Sequence, residues 1–342
     1  MIGVIDSHSP EVLDEMEDLL TAGELQEHPE GGLHYGGMSI ILGSELEIND
    51  ESTQGPIHVL CYLPTLQTMR AFSRWLENHM KNIHLSSQRV YISGLVLQKK
   101  VKELGGIFIP AHVFTPFKSL YGKGVKNSFT EVFDADLIDG IELGLSSDTK
   151  MADQLAELHR YSFVTNSDAH SLAKIAREYQ KIEMAEPSFR ELELALKQAE
   201  GRGIKANYGL DPQLGKYHRT VCAECLAYNP AYGKACSECG SVKQIKGVAD
   251  RIQELRSSEG NQYVRPPYIH QVPLEFIPGL GPKMLEKLMD HFGTEMAVLH
   301  SVPLDSLKQV IPEKTAITID KARKGQLAFH AGGGGKYGKI TD

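Results

Sequence analysis

Nearly every short apolar run in residues 1–200 ends in a histidine, an aspartate or a glutamate. Ile2-Gly3-Val4-Ile5 leads into Asp6-Ser7-His8, and the run from Met38 leads into Gly43-Ser44-Glu45. Gly106 to Pro110 leads into Ala111-His112, Ile141 into Glu142, and Tyr161 to Thr165 into Asn166-Ser167-Asp168-Ala169-His170. His58 lies inside the apolar stretch Ile57 to Tyr62. Helical patterns fill most of the gaps. Ser9-Pro10-Glu11 supplies an N-cap, a proline at the first helical position and an early acid, which predicts a helix to about Leu20. Further helices are predicted from Leu66 to His84 and from Gly94 to Leu104. Such alternation predicts an α/β fold with a mainly parallel sheet or barrel, whose chemistry gathers where strands run out into loops.

Side chains two apart on an extended segment point the same way, so Asp168 and His170 are placed to share one ion, as are Asp6 and His8. Imidazoles mixed with carboxylates suit Zn²⁺, Mn²⁺ or Fe²⁺ and are too nitrogen-rich for Mg²⁺ or Ca²⁺. Taken singly, each residue has a plainer reading: His58 as a satisfied core histidine, Glu45 or Glu142 as a strand-end carboxylate. Taken together they argue for a metal site, because buried unpaired ionisable groups are costly.

The pattern breaks after Gly201. Residues 201–217 are rich in glycine and basic side chains and read as a connector with some structure. Cys222-Ala-Glu-Cys225 and Cys236-Ser-Glu-Cys239 then form two C-x₂-C knuckles, which predict a closed four-thiolate structural Zn²⁺ site. Gly240 directly after the second knuckle allows its tight turn. The lone Cys61 reads as a small buried apolar residue. A charged helix is expected from Val248 to Ser257, and Val264-Arg265-Pro266-Pro267 reads as a linker. Ile277-Pro278-Gly279-Leu280-Gly281-Pro282-Lys283 precedes an amphipathic run. Its bare glycine backbone and the following helix N-terminus suit a phosphate, with Lys283 as counter-charge. Lys321 to Lys324 adds three more basic residues. The glycine-rich tail, 330–342, is expected to be disordered.

Two resemblances follow from these residues. Residues 1–200 resemble the polymerase and histidinol phosphatase (PHP) phosphoesterase domain, a distorted β/α barrel that holds divalent metals. More specifically, Pro110-Ala111-His112-Val113-Phe114-Thr115-Pro116-Phe117, Ile141-Glu142-Leu143-Gly144-Leu145-Ser146-Ser147-Asp148 and Asn166-Ser167-Asp168-Ala169-His170-Ser171 resemble the endonuclease Q family. The segment around Gly279 and Gly281 resembles the helix-hairpin-helix motif of DNA repair proteins. Together these imply a PHP-like domain (1–200), a connector with a zinc ribbon (201–263), a helix-hairpin-helix module (264–329) and the tail. The resemblance implies His8, Glu45, His58, His112, Asp168 and His170 as metal ligands, with Asp6 and Glu142 behind them. It implies Asp168 or Glu142 as the residue orienting the attacking water, and Gly279, Gly281 and Lys283 as DNA contacts. The family opens with a strand ending in a His-x-His pair of ligands, whereas Met1 here falls in the family's second strand. The barrel is therefore expected to be N-terminally incomplete.

The implied activity is metal-dependent hydrolysis of DNA 5′ to uracil, hypoxanthine, xanthine or an abasic site. The alternatives are a degenerate barrel that only binds DNA and a small-molecule phosphomonoesterase. Charge fits a DNA enzyme built in two halves. Residues 1–200 carry 17 Lys and Arg against 30 Asp and Glu, and the remainder carry 19 against 14. No eighteen-residue apolar run is present and no secretory signal is visible, so the expected compartment is the cytoplasm with no membrane partner.

Overall fold

A computed structural model describes residues 1–229, 233–257 and 264–341. Residues 258–263 of the expected connector and 230–232 between the cysteine knuckles lie outside the described residues.

The first half is built around a sheet of seven strands. Its elements are β1 (Ile2–Val4), α1 (Pro10–Thr21), β2 (Leu25–Glu27), β3 (Leu33–Tyr35), β4 (Met38–Ile48), β5 (Ile57–Leu63), α2 (Leu66–Glu77), β6 (Arg89–Val90), α3 (Gly94–Glu103) and β7 (Ile107–Pro110). The expected mainly parallel sheet is corrected here. β2, β3, β4, β5 and β7 pair antiparallel in that order, and only β1 and β6 lie parallel to β4. The reason is local. Gly36 and Gly37 both take positive φ, +53° and +83°, which closes a two-residue hairpin between β3 and β4.

The sheet is covered on both faces, so β5 is buried at every position. Leu46, Ile48, Val59, Cys61 and Leu63 join the main core with α1, α2 and α3. Ile41, Leu60, Tyr62, Ile107 and Ile109 face the other way, onto Val164 and Phe189. α1 begins at Pro10 behind Ser9, as expected. α2 stops at Glu77, short of the predicted His84, because Met80 leaves the helix to bridge Val90 of β6.

β8 (Gly140–Glu142), α4 (Thr149–Ala152), β9 (Ser162–Val164), β10 (Tyr179–Glu183), α5 (Phe189–Leu196) and β11 (Gly203–Leu210) follow. β8 and β9 pair in parallel, and the Asp139 amide donates to Phe108 O of β7 at 3.0 Å. The structure expected within the connector at 201–217 is a strand: β11 lies in the middle of a sheet between β10 and a late strand, β14 (Tyr268–Gln271). The expected linker at 264–267 is docked as well. The Arg265 guanidinium lies over the Phe163 ring and donates to Asp153 Oδ1 at 2.8 Å.

β12 (Val221–Cys222) and β13 (Gln244–Ile245) form the small hairpin of the cysteine cluster. α6 (Val248–Leu255) returns Val248 and Ile252 to the main core, and its Arg251 Nε donates to Tyr121 O at 2.8 Å.

α7 (Pro282–Phe292), α8 (Glu295–His300), α9 (Leu304–Val310) and α10 (Glu313–Arg323) share a second core with Leu210 and Leu214. Arg323 is turned inward and donates to the carbonyls of Val298 and Val302. The expected disorder of the tail is also corrected. β15 (Ala328–His330) pairs antiparallel with β16 (Lys339–Thr341). The glycines there serve close packing rather than freedom. A Cβ on Gly332 would lie 2.3 Å from Gly215 O, and one on Gly338 2.6 Å from His330 O. No helix among the described residues is long and apolar enough to cross a membrane.

Candidate metal centre

The alternation of β4 and β5 places three ionisable groups on one face. Glu47 pairs directly with His58, and Glu45 lies two residues from Glu47 on the same strand. β7 lies beside β5, and its exit brings His112 to the same end. Along this face the apolar stripe of Ile41, Leu60 and Ile109 therefore gives way to donors at one edge. Gly43 has no side chain because the Tyr62 ring crosses it; a Cβ there would lie 2.9 Å from Tyr62 Cε1.

Glu45, His58 and His112 each offer one ligand atom, and these atoms all lie within 4.8 Å of one another. Glu45 Oε1 is 3.1 Å from His58 Nδ1, and Glu45 Oε2 is 3.9 Å from His112 Nε2. Thr115 Oγ1 meets His112 Nδ1 at 3.0 Å, which fixes the ring and leaves Nε2 facing Glu45. His58 Nε2 is buried without a hydrogen-bond partner, and so is His8 Nε2. Orphaned imidazole nitrogens beside a carboxylate fit a divalent ion of the Zn²⁺, Mn²⁺ or Fe²⁺ class.

The electrostatics agree. Burial works against the charge of Glu45, yet hydrogen bonds from His58 and Ser87 and the nearby His112 outweigh it and hold the carboxyl at about 2. Burial pushes His8 and His112 below the usual histidine value, and neutral imidazole is the form that binds metal.

The other expected ligands stand around this group rather than in it. His8 is fully buried, and its Nδ1 meets Ser44 Oγ at 2.8 Å, one residue before Glu45. Asp168 is half exposed but close enough for its charge to act on His112 and Glu142. His170 is the most exposed of the set, with its Nδ1 3.1 Å from Asp168 O. Glu142 is enclosed, and burial raises its carboxyl to about 8. Both its oxygens are engaged: Oε2 accepts the His112 amide at 2.8 Å and Oε1 accepts Asn166 Nδ2 at 2.6 Å. Asp168 is thus the carboxylate left open to water.

The backbone around the site carries features with no obvious mark in the sequence. His112 and Asp168 take positive φ, +30° and +43°, a strained geometry for residues with a Cβ. Gly144, at φ +74°, lies so close beneath His112 that a Cβ would sit 2.8 Å from the His112 Cβ. Glu47 was legible as the i+2 neighbour of Glu45; its Oε2 is 3.0 Å from Lys118 Nζ.

The second centre is the cysteine cluster. All four thiols lie within 4.8 Å of one another, with Cys222 Sγ 3.5 Å from Cys239 Sγ and Cys225 Sγ 3.6 Å from Cys236 Sγ. Tetrahedral Zn–S bonds of about 2.3 Å need sulfurs just under ~4 Å apart, so the cage fits zinc. Amides of Cys225 and Glu224 pull the Cys222 thiol down to about 6. Gly240 turns at φ +73°, as the second knuckle requires; after the first knuckle Leu226 takes the same conformation at φ +60°.

Gly279 turns at φ +82°, and Gly281 caps α7 without any side-chain cap. Gly281, Pro282 and Lys283 are all exposed.

No protein-family model matches the chain. The Bacillus subtilis protein YqxK, described as uncharacterised, is 55% identical over 340 residues, spanning 99% of this chain and 88% of that protein. MJ0043 of Methanocaldococcus jannaschii, also uncharacterised, is 37% identical over 283 residues, 74% of this chain and 35% of that longer protein. Among solved structures, the lesion-specific endonuclease PfuEndoQ from Pyrococcus furiosus superposes with a TM-score of 0.84 at 32% identity, over 99% of this chain and 86% of its own. An endonuclease Q bound to a 27-mer duplex with an abasic lesion at the active site gives 0.85, also at 32% identity, over 99% and 87%. With such identity over nearly its whole length, the chain belongs to the endonuclease Q family.

Proposed function

We propose that this protein is a metal-dependent DNA repair endonuclease that hydrolyses the phosphodiester 5′ to a deaminated base (uracil, hypoxanthine or xanthine) or an abasic site. The observation that carries this reading is the donor group of Glu45 on β4, His58 on β5 and His112 just past β7 in an endonuclease Q family chain. A relative captured on an abasic duplex supports DNA as the substrate.

Glu45, His58 and His112 hold the ion, and His8, Asp168 and His170 supply further donors from the surrounding loops. When bound, an ion of this class lowers the pKa of a coordinated water and offsets phosphate charge. The half-exposed Asp168 orients the water and accepts its proton. Glu142 is a positioning residue, because it fixes the His112 amide and Asn166. Thr115 keeps the His112 ring in place. Gly279, Gly281 and Lys283 grip the DNA backbone at the start of α7, and the four cysteines hold a structural zinc.

Purified protein supplied with Mn²⁺ or Zn²⁺ is expected to nick oligonucleotides carrying deoxyuridine, deoxyinosine or an abasic site. His112→Ala should lower that rate by more than about a hundredfold, since weaker supporting changes at metal sites already cost ten- to a hundredfold. Tight DNA binding without nicking in either metal would replace this reading with that of a degenerate DNA-binding protein.

A further inference from the structure

The loop that follows Asp168 and His170 carries an apolar tip that nothing in the folded chain covers. Leu172 is 86% exposed and Ile175 is 50% exposed. They bracket a single 3₁₀ turn, Leu172–Lys174, with the Ile175 amide donating to Leu172 O at 3.2 Å. Residues three apart on such a turn lie one above the other, so the two side chains form one apolar surface.

A lone exposed leucine is ordinary. This one sits on a loop clamped from both sides. Arg177 Nε donates to Ser167 O at 2.7 Å, which draws the end of the loop back to its start beside Asp168. Lys174 Nζ donates to both oxygens of Glu275, at 2.5 and 2.6 Å. Glu275 lies in the turn Leu274–Phe276, which leads directly into Gly279 and Gly281. The apolar tip is thus held between the proposed cleavage site and the proposed backbone grip, with cations on its flanks.

We propose that Leu172, backed by Ile175, is a wedge that enters the duplex where the damaged nucleotide leaves the stack. The inference rests on the endonuclease reading above. A nucleotide must leave the helix before its 5′ phosphate and damaged base are presented together, and the vacated stack needs an apolar replacement. Proteins that distort DNA meet that need with side chains such as leucine and isoleucine inserted between base steps.

The test compares nicking of deoxyuridine in a fully paired duplex with the same lesion in an unpaired bubble. Leu172→Ala should lower the duplex-to-bubble rate ratio by roughly tenfold, because only the paired substrate needs prising apart. Leu172→Met should keep the wild-type ratio, and an unchanged melting temperature in both variants would tie the effect to the side chain. An alanine variant that alters both rates by the same factor, or neither, overturns the wedge alone. A wild-type protein that nicks neither substrate overturns the endonuclease reading, and the wedge with it.

Discussion

Gly144 lies directly beneath His112: a Cβ on Gly144 would sit 2.8 Å from the His112 Cβ and 3.1 Å from its Cα. The loop leaving β8 therefore rests on the loop leaving β7. His112 can hold its strained φ of +30° because Glu142 binds its amide and Gly144 makes room beneath it.

Gly144→Ala is accordingly expected to displace His112 twice over, by contact and by its own φ of +74°. Stability should fall by about 1–3 kcal/mol. Calorimetric titration should show weaker Mn²⁺ or Zn²⁺ binding, while zinc at the cysteines stays unchanged.

The cysteine cage is expected to retain one zinc through dialysis, and Cys236→Ala should release it. Buried Cys236 lies 3.6 Å from Cys225 across the cage, so its loss should open the two cysteine knuckles to protease. The seven-strand sheet shares no thiol with this site and should keep its protection.

A pH-sensitive tie joins the two halves. His270 Nε2 on β14 meets Asp148 Oδ2 at 3.0 Å, while Asp148 Oδ1 accepts the Met151 amide and caps α4. The bond to Asp148 raises His270 above the usual histidine value. Its contribution is therefore full below about 6.5 and is lost as pH rises through the raised value. Asp148 resists charge through burial, but the His270 bond leaves it net lowered, so its contribution is lost as pH falls through that lowered value. Thermal melts should peak between these limits, and His270→Gln should flatten the alkaline flank. The amplitude should stay below about 1 kcal/mol because His270 is partly exposed.

Lys283→Glu is expected to weaken binding to undamaged and damaged duplex alike. The slope of log affinity against log salt should shrink by about one ion, as for a single lost phosphate contact. Fluorescence anisotropy across a salt series measures it.

Much of this architecture was legible. β4 begins at Met38, where the apolar run starts, and Pro10 behind Ser9 fixes the start of α1. Strand direction was not, because apolar patterning is blind to it. The one local clue was the pair Gly36-Gly37, which demanded a hairpin. At the site, the residue types singled out Glu45, His58 and His112, and these three do lie as neighbours. Which of the remaining donors close on them depends on loop conformation at positive φ, and periodicity carries no record of that. Arg323, noted in the sequence only as one of three basic residues, donates to two carbonyls of α8 and its exit, a contact that periodicity does not record.

The tail glycines have a consequence for how this molecule comes apart. Gly333 bridges Arg219 at the root of the cysteine hairpin, Gly334 leaves room for Leu226, and the Tyr337 ring meets Phe276 at a tilt of 60° at the mouth of the helical module. One short ribbon is thus stitched through both. Trimming it as a dispensable end would cut that seam, and the cysteine hairpin and the helices, which with it should melt together, would then loosen one at a time.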